Sequence, residues 1–424
     1  MLRLVEKSPE MEAEILPTLD EIARDGARRM LLTALDVEVA SYIERHQERD
    51  EKGHALVVRN GKAQARNVTL GCGTVEVRAP RVNDRRHGPD GERRRFTSKI
   101  LPPYMRRSPK VSEVLPVLYL RGLSTGDFQE ALPTLLGEEA SGLSATNITR
   151  MTAAWQEEYE RFQKRDLTDR DYVYVWVDGI HVTVRLEDDR LCLLVMIGVR
   201  PDGTKELVAI EDGYRESQES WSDMLRDLSR RGMQAPVVAI GDGALGFWAA
   251  LREVWPATRA QRDWFHRLGN VLDKLPKRLQ GKAKKALHEV MYADTREDAE
   301  EALQLFVKTY EPKHPKAVAS LLHGGEESLL TFFDFPAEHW KHLRTSNVVE
   351  SPFATVRLRQ RVTKGPGSRN KGLTMSFKLL DMAQKRWRRL NGSELLPLVR
   401  EGAKFVNGAR VERAQQPEEE RIAA

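Results

Sequence analysis

The sequence predicts an α/β chain: a mixed-sheet core with packed helices, interrupted by an all-helical stretch and preceded by a mainly helical N-terminal region. Three observations carry this. The runs Tyr172–Val177 and Leu191–Val199 are β-branched, aromatic and apolar, as strands are. A helical pattern at Glu219–Arg231 and a buried strand at Pro236–Ile240 follow, which makes an antiparallel start leading into a βα unit. Residues 256 to about 342 then carry helical periodicity almost throughout.

Composition sets the outer limits. The 424 residues hold 68 Lys+Arg against 63 Asp+Glu, a formal charge of +5, and two cysteines, Cys72 and Cys192. This length allows two to four domains at about 100–200 residues each. The longest apolar run, Leu191–Val199, is far short of the ~18 residues a membrane span needs. Met1–Glu14 has no apolar core, so no signal peptide is expected and a cytoplasmic protein is the default. Two cysteines 120 positions apart make neither a disulfide framework nor a four-cysteine zinc site.

The distribution of charge says more than its sum. Arg78–Arg121 carries twelve Lys/Arg against four Asp/Glu, Arg259–Lys285 nine against two, and Arg344–Arg389 twelve against two. A single basic run is usually a solvated helix face. Three of them, with Trp264, Phe265, Phe353 and Trp387 interleaved, suit a polyanion laid across several domains.

The elements follow in order. Residues 1–55 read as a helical region, with Leu16, Leu19, Ile22, Met30, Leu31 and Leu35 at helical spacing. Residues 56–110 form a small β and basic-arm region. In it Thr74–Arg78 alternates as a strand ending at Pro80, and Arg81–Lys99 reads as a loop or DNA-contacting arm rather than packed core. Residues 111–168 hold helices at Ser112–Gly122, Ser124–Gly137 and, capped by Ser144, Ala145–Gln163. That is the outline of a helix-turn-helix or of an ordinary three-helix bundle. Residues 169–255 form the first part of the core. Here His181–Arg185 reads as a strand separate from Tyr172–Val177, Leu207–Ile210 as a further piece, and Ala244–Val254 as a helix. Residues 256–343 are helical. Residues 344–395 hold a cap cluster at Thr345-Ser346-Asn347, a helix through Glu350 and Phe353, a basic glycine loop at Thr363–Ser368 and a helix at Leu373–Trp387. Residues 396–424 are a charged tail expected to fray.

Asp178 and Asp242 share a context: each ends an apolar strand and each is followed by glycine. If the strands are neighbours, the carboxylates face each other and repel unless a cation lies between them. Oxygen-only ligands suit Mg²⁺ or Mn²⁺. Two such ions, ~3.5–4 Å apart, activate a nucleophile and stabilise a leaving 3′-oxygen. Glu350, one turn into a helix beside the basic stretch, is the best-placed third carboxylate. Taken singly, each Asp-Gly is a common turn and Glu350 a first-turn acid that favours the helix dipole. Asp188, Asp189, Asp202, Glu211 and Asp212 compete as loop acids.

A family resemblance narrows these alternatives. Arg59-Asn60-Gly61, the Leu115-Tyr119-Gly122-Ser124 helix, Val177-Asp178-Gly179, Gly241-Asp242-Gly243-Ala244, Asp263-x-x-His266, Arg344–Ser351 and Thr363-Lys364-Gly365 occur in order over residues 55–392. In this the chain resembles the Mutator-type bacterial insertion-sequence transposases, which carry a DDE triad. The resemblance implies an RNase H-like core interrupted by a helical insertion. It implies Asp178, Asp242 and Glu350 as the catalytic, metal-holding carboxylates, two Mg²⁺ or Mn²⁺ per active site, and Asp263 and His266 as active-site support. Relatives usually have Cys where Asp263 stands, and Pro where Val348 stands, which removes a rigid first-turn residue.

The expected function is that of a DNA transposase. It would bind terminal inverted repeats and target DNA, nick a strand with water, and use the freed 3′-hydroxyl for in-line strand transfer. The resemblance implies a copy-out route through a circular intermediate. Synapsis of two ends implies at least a dimer; no membrane and no small-molecule cofactor are expected. The residues expected on DNA are Arg106, Arg107, Arg262, Trp264, Arg344, Asn347, Arg357, Arg359, Arg361, Lys364, Arg369 and Lys371. Trp264 would stack on a displaced base, or else pack beneath the helical stretch. A structure-selective nuclease on the same core and a catalytically dead DNA-binding regulator are the rival readings.

Overall fold

A computed structural model of the chain describes residues 18–89, 91–120, 123, 131–134, 136, 145–184, 190–213, 217–243, 245–363 and 365–411. The chain divides into two compact units, Met1–Thr149 and Arg150–Ala424.

In the first unit, helix α1 (Leu19–Glu44) starts at a capping box. The Thr18 amide donates to Glu21 Oε2 at 2.7 Å and the Glu21 amide to Thr18 Oγ1 at 3.3 Å, which satisfies two of the helix's orphan donors. Its buried face, Leu35 and Val39, lies on strands β2 (Arg66–Leu70) and β3 (Gly73–Val77), with Val68, Val75, Val77 and Leu101 completing the core. Strand β1 (Val57–Lys62) pairs antiparallel with β4 (Pro80–Asp84). The Arg81–Lys99 stretch is therefore not wholly loop or arm. Arg86 is buried and ion-pairs with the buried Asp84 at 2.8 Å, and Tyr42 Oη donates to the same carboxylate at 2.6 Å. A paired guanidinium can enter a core that a lone one cannot. Helix α2 (Pro109–Leu120) matches expectation, as does α3 (Ala145–Gln163). The helix expected over Ser124–Gly137 and the cap at Ser144 lie mostly outside the described residues.

The second unit holds a five-stranded mixed sheet of order β7-β6-β5-β8-β9. Strands β5 (Tyr174–Val182), β6 (Leu191–Val199) and β7 (Lys205–Gly213) run antiparallel; β8 (Val238–Gly241) and β9 (Arg259–Arg262) lie parallel to β5. Two expectations are corrected. Asp178-Gly179 does not end its strand: β5 runs straight through it to Val182, so His181 continues the same strand, because β6 pairs with it along its whole length. Residues 259–262 are a strand and not helix, since they complete the sheet beyond β8.

Alternation sorts the side chains of β5. Val175 and Val177 face a core made with α4 (Gln218–Arg230) and α5 (Leu245–Val254), through Trp221, Met224, Leu225, Leu228, Phe247, Trp248 and Leu251. Tyr174 and Trp176 face the other way. Tyr174 Oη lies 2.9 Å from His339 Nδ1, and Trp176 Nε1 donates to the His342 carbonyl at 2.9 Å. Between β9 and the last long helices come α6 (Trp264–Leu272), α7 (Lys277–Met291), α8 (Arg296–Tyr310) and α9 (Pro315–Leu322), then short helical turns to Leu343. Helix α10 (Asn347–Thr363) packs on β5 and buries Val349, Phe353 and Val356; α11 (Arg369–Gln384) packs on β7. Residues 396–411 are folded and not frayed: Leu396, Val399 and Phe405 are buried in a short helix and hairpin.

Candidate active site

The parallel register of β5 and β8 pairs Val177 with Gly241. Asp178 and Asp242 are the next residues on the two strands, so their backbones lie side by side where β8 ends. Alternation gives Asp178 the face of Tyr174 and Trp176, the face that α10 covers. Gly241 is required here. A Cβ on it would stand 2.8 Å from Val177 Cγ2 and 3.2 Å from the Val177 carbonyl. Each aspartate is oriented by its own glycine: the Gly179 amide donates to Asp178 Oδ1 at 2.8 Å, and the Gly243 amide donates to Asp242 Oδ1. The Asp242 carbonyl accepts from Trp248 Nε1 at 2.8 Å and from Arg262 Nη1 at 3.2 Å.

Glu350 sits in the first turn of α10. Its Oε1 accepts from Ser346 Oγ and lies 3.6 Å from His266 Nδ1. The missing proline does not disturb the helix start: the Asn347 amide donates to Thr345 Oγ1 at 3.0 Å, and the Val349 amide to the Ser346 carbonyl at 2.8 Å.

Asp263 joins these pieces. It is buried and caps α6, with Oδ1 accepting from the His266 amide at 2.6 Å. Its Oδ2 accepts from the Ser346 amide and, at 2.9 Å, from Ser346 Oγ. Burial raises the Asp263 carboxyl, but the His266 side chain and the amides of His266 and Ser346 outweigh it and hold the group below the ordinary range. His266 Nδ1 lies 3.3 Å from Asp263 Oδ1. The Asp263 carboxylate, with Asp242 and Glu350 adding to it, overcomes burial and pushes the imidazole up to about 9. At neutral pH His266 is therefore a cation among three carboxylates.

Among the described residues, Asp263, His266 and Glu350 bring one ligand atom each within 4.8 Å of one another. This trio is built as a hydrogen-bonded support and not as a metal nest, because both Asp263 oxygens are taken by donors and His266 holds its proton.

The expected DNA contacts divide into two sets. Arg106, Asn347, Arg357, Arg361 and Lys371 are exposed, and Arg107 is half-buried. Arg262, Arg344 and Arg359 are buried: Arg262 stacks on Trp248 at 4.4 Å and Arg344 on Phe332 at 4.5 Å. Trp264 is fully buried and donates its Nε1 to the Leu329 carbonyl at 2.9 Å, so its indole packs beneath the helices and offers no face to a base. Its neighbour Phe265 is 57% exposed. With Met291, Tyr292, Lys341, Arg344 and Asn347 it lines a cavity of about 490 Å³ that reaches Glu350. Arg369 is held by Asp212 through bonds of 2.9 and 2.5 Å. Lys364 lies outside the described residues, as do Asp188 and Asp189. Of the competing acids, Asp202 accepts from the Thr204 amide in a turn and Asp212 from Arg369. Sequence reasoning missed Ser346 as the link between Asp263 and Glu350; the cap cluster around it was the available signal.

Comparison with known proteins agrees with this arrangement. A family model described as Transposase, Mutator family, matches residues 3–371. The chain is 58% identical over 303 residues to the transposase for insertion sequence element IS6120 of Mycolicibacterium smegmatis, covering 72% of this chain and 93% of that protein. It is 49% identical over 288 residues to the transposase for IST2 of Acidithiobacillus ferrooxidans, covering 66% and 95%. It is 25% identical over 363 residues to the transposase for IS256 in transposon Tn4001 of Staphylococcus aureus, covering 83% and 88%.

Proposed function

The chain belongs to the Mutator family of transposases, and from that premise we propose that it is a DDE enzyme that nicks and joins DNA at the ends of its element. The observation that carries the reading is the adjacency of Asp178 and Asp242 on parallel strands, under the helix that presents Glu350. The sheet with its helical stretch between β9 and α10 is read as an RNase H-like core with an inserted helical segment.

The donor set fits hard divalent cations. Asp178, Asp242 and Glu350 offer only carboxylate oxygens, and Gly179 and Gly243 orient the two aspartates without adding side-chain bulk. These three would hold Mg²⁺ or Mn²⁺, two ions in the reading, which when bound activate water or a 3′-hydroxyl and stabilise the leaving oxygen. The chain's own residues do the rest. Ser346 fixes the Glu350 carboxylate through its hydroxyl. His266 places a positive charge beside Glu350 and near Asp242, where the anionic strand approaches. No side-chain nucleophile is needed, so no covalent protein–DNA intermediate forms.

DNA is the partner, met by the exposed basic residues of α10 and α11 and by Phe265 and Tyr292 at the cavity beside Glu350. The helices of residues 111–163 are read as the module that binds the terminal repeats, and synapsis of two ends as the work of at least a dimer. Joining proceeds by copy-out through a circle.

The test is an assay of purified protein on labelled DNA carrying the element's ends, with Mg²⁺ or with EDTA. Asp178→Asn, Asp242→Asn and Glu350→Gln are each expected to abolish nicking and joining while end binding survives. Strand transfer retained in any one of them removes that carboxylate from the triad. Nicking without joining in the wild type moves the reading to the structure-selective nuclease.

A further inference from the structure

A second cavity, of about 350 Å³, opens at the N-terminus of α10 and is lined by Lys205, Lys341, His342, Asn347, Trp387 and Arg388. It shares Lys341 and Asn347 with the cavity that reaches Glu350. Its cations come from three separate elements: the first residue of β7, the short helical turn before α10, and the segment after α11.

Among the described residues no carboxylate forms an ion pair with Lys205, Lys341 or Arg388. Glu206, next to Lys205 in the strand, points to the opposite face and pairs with Arg170 at 2.9 Å and Arg200 at 3.2 Å. Burial, with Lys341 adding to it, pushes the Lys205 ammonium below its usual value. His342 is pushed down to about 4, first by burial and then by Lys205, so it is neutral and crowds no further charge into the cleft. A fold that gathers cations in a concave site and gives them no acid has left the neutralising charge to a ligand. The amides that open a 17-residue helix favour the same sign of charge. Trp387 supplies an apolar wall, which a sugar or base attached to the anion would cover.

We propose that Lys205, Lys341 and Arg388 hold a backbone phosphate of the DNA strand beside the one being cut. The assignment rests on the transposase reading for the identity of the strand; the cationic cleft is independent of it.

The test is a lysine-acetylation footprint of the full-length protein alone, with a short duplex ending in the element's terminal repeat, and with inorganic phosphate at matched ionic strength. Lys205 and Lys341 are expected to be protected by the duplex and not by phosphate. The exposed Lys308 on α8 is the internal control. In parallel, duplex affinity is measured against salt for the wild type, Lys205→Gln/Lys341→Gln and Lys205→Arg. The double variant should lower the slope of log K against log salt by about 1–2, at ~0.9 per phosphate contact, while Lys205→Arg keeps it. Unchanged acetylation of both lysines with duplex, or a wild-type slope in the double variant, overturns the proposal. Equal protection by phosphate overturns the DNA assignment. Nicking that persists with unprotected lysines removes the cleft and leaves the chemistry standing. Protection without any metal-dependent nicking removes the chemistry and leaves the cleft.

Discussion

Replacing Asp263 with asparagine tests how the candidate site is held together. The carboxylate takes the His266 amide on Oδ1, and both the amide and the hydroxyl of Ser346 on Oδ2. An asparagine keeps one acceptor and must turn its NH₂ toward one of these buried N–H groups. Leaving one buried donor unsatisfied costs about 1–3 kcal/mol, and the surviving bonds lose their charge assistance, so a total of about 2–4 kcal/mol is expected. His266 should respond in the same variant, because Asp263 is the main cause of its elevation to about 9. Its folded value lies above the model 6.5, so its contribution to stability is complete below about 6.5 and is lost as pH rises through 9. The full shift converts to about 3 kcal/mol, but with 37% of the side chain exposed, about 1–2 kcal/mol is the realistic share. The assay is chemical denaturation of the metal-free protein at pH 6, 7.5 and 9.5, with proton NMR titration of the histidines. An Asp263→Asn variant within about 0.5 kcal/mol of wild type, or a His266 that titrates near its ordinary value in the wild type, refutes the linkage.

Two further outcomes follow from buried charge. Arg86→Ala leaves the Asp84 carboxylate buried with Tyr42 and without its cation, at a cost of about 3–5 kcal/mol, read as lost amide protection in α1; a change confined to DNA affinity would mean that Arg86 serves as an arm. Burial, with Asp227 adding to it, raises Glu211 from 4.5 to about 7, so its ionisation destabilises the fold increasingly above pH 4.5 and in full above pH 7. Glu211→Gln should therefore gain up to about 3 kcal/mol at pH 8 and nothing at pH 4, and equal stability at both pH values would place Glu211 in contact with water.

Much of the second unit is legible in the residues, because strands buried on both faces announce themselves: β6 is apolar from end to end and fully buried. The register that places Asp178 beside Asp242 is not legible, since periodicity says where strands are and not which ones pair. For the same reason Asp178-Gly179 resembles a strand end, although it is the parallel neighbour β8 that stops there. Strand β9 escapes notice because Arg-Ala-Gln-Arg has no strand composition. It is held instead by Gln261, which donates to the Leu329 carbonyl at 3.1 Å and accepts from the Phe332 amide at 2.8 Å. Basic residues mislead most. Arg86, Arg262, Arg344 and Arg359 count toward cationic stretches but lie in the interior, while Lys205, in no such stretch, opens onto a cleft.

The geometry of Asp263 explains how one carboxylate can come from a helix more than a hundred residues after the other two and still belong to their site. The Asp263 amide donates to the Gly241 carbonyl at 2.9 Å, next to Asp242, and its side chain grips Ser346, four residues before Glu350. The next amide, of Trp264, donates to the Arg344 carbonyl at 2.9 Å. The helical stretch of residues 264–343 thus leaves the core and returns to it at one closed neck. Closing a loop costs entropy that grows only slowly with its length. Once the neck is bonded, the size of what it encloses has little effect on where Glu350 stands. The hydrogen bonds at 241, 263, 344 and 346 fix the third acid, and the helices between are free to serve the substrate. A small residue such as cysteine at position 263, common among relatives, could cap α6 only weakly and could not bridge two amides at once. In this chain the aspartate performs both tasks, and His266 becomes a cation as a result.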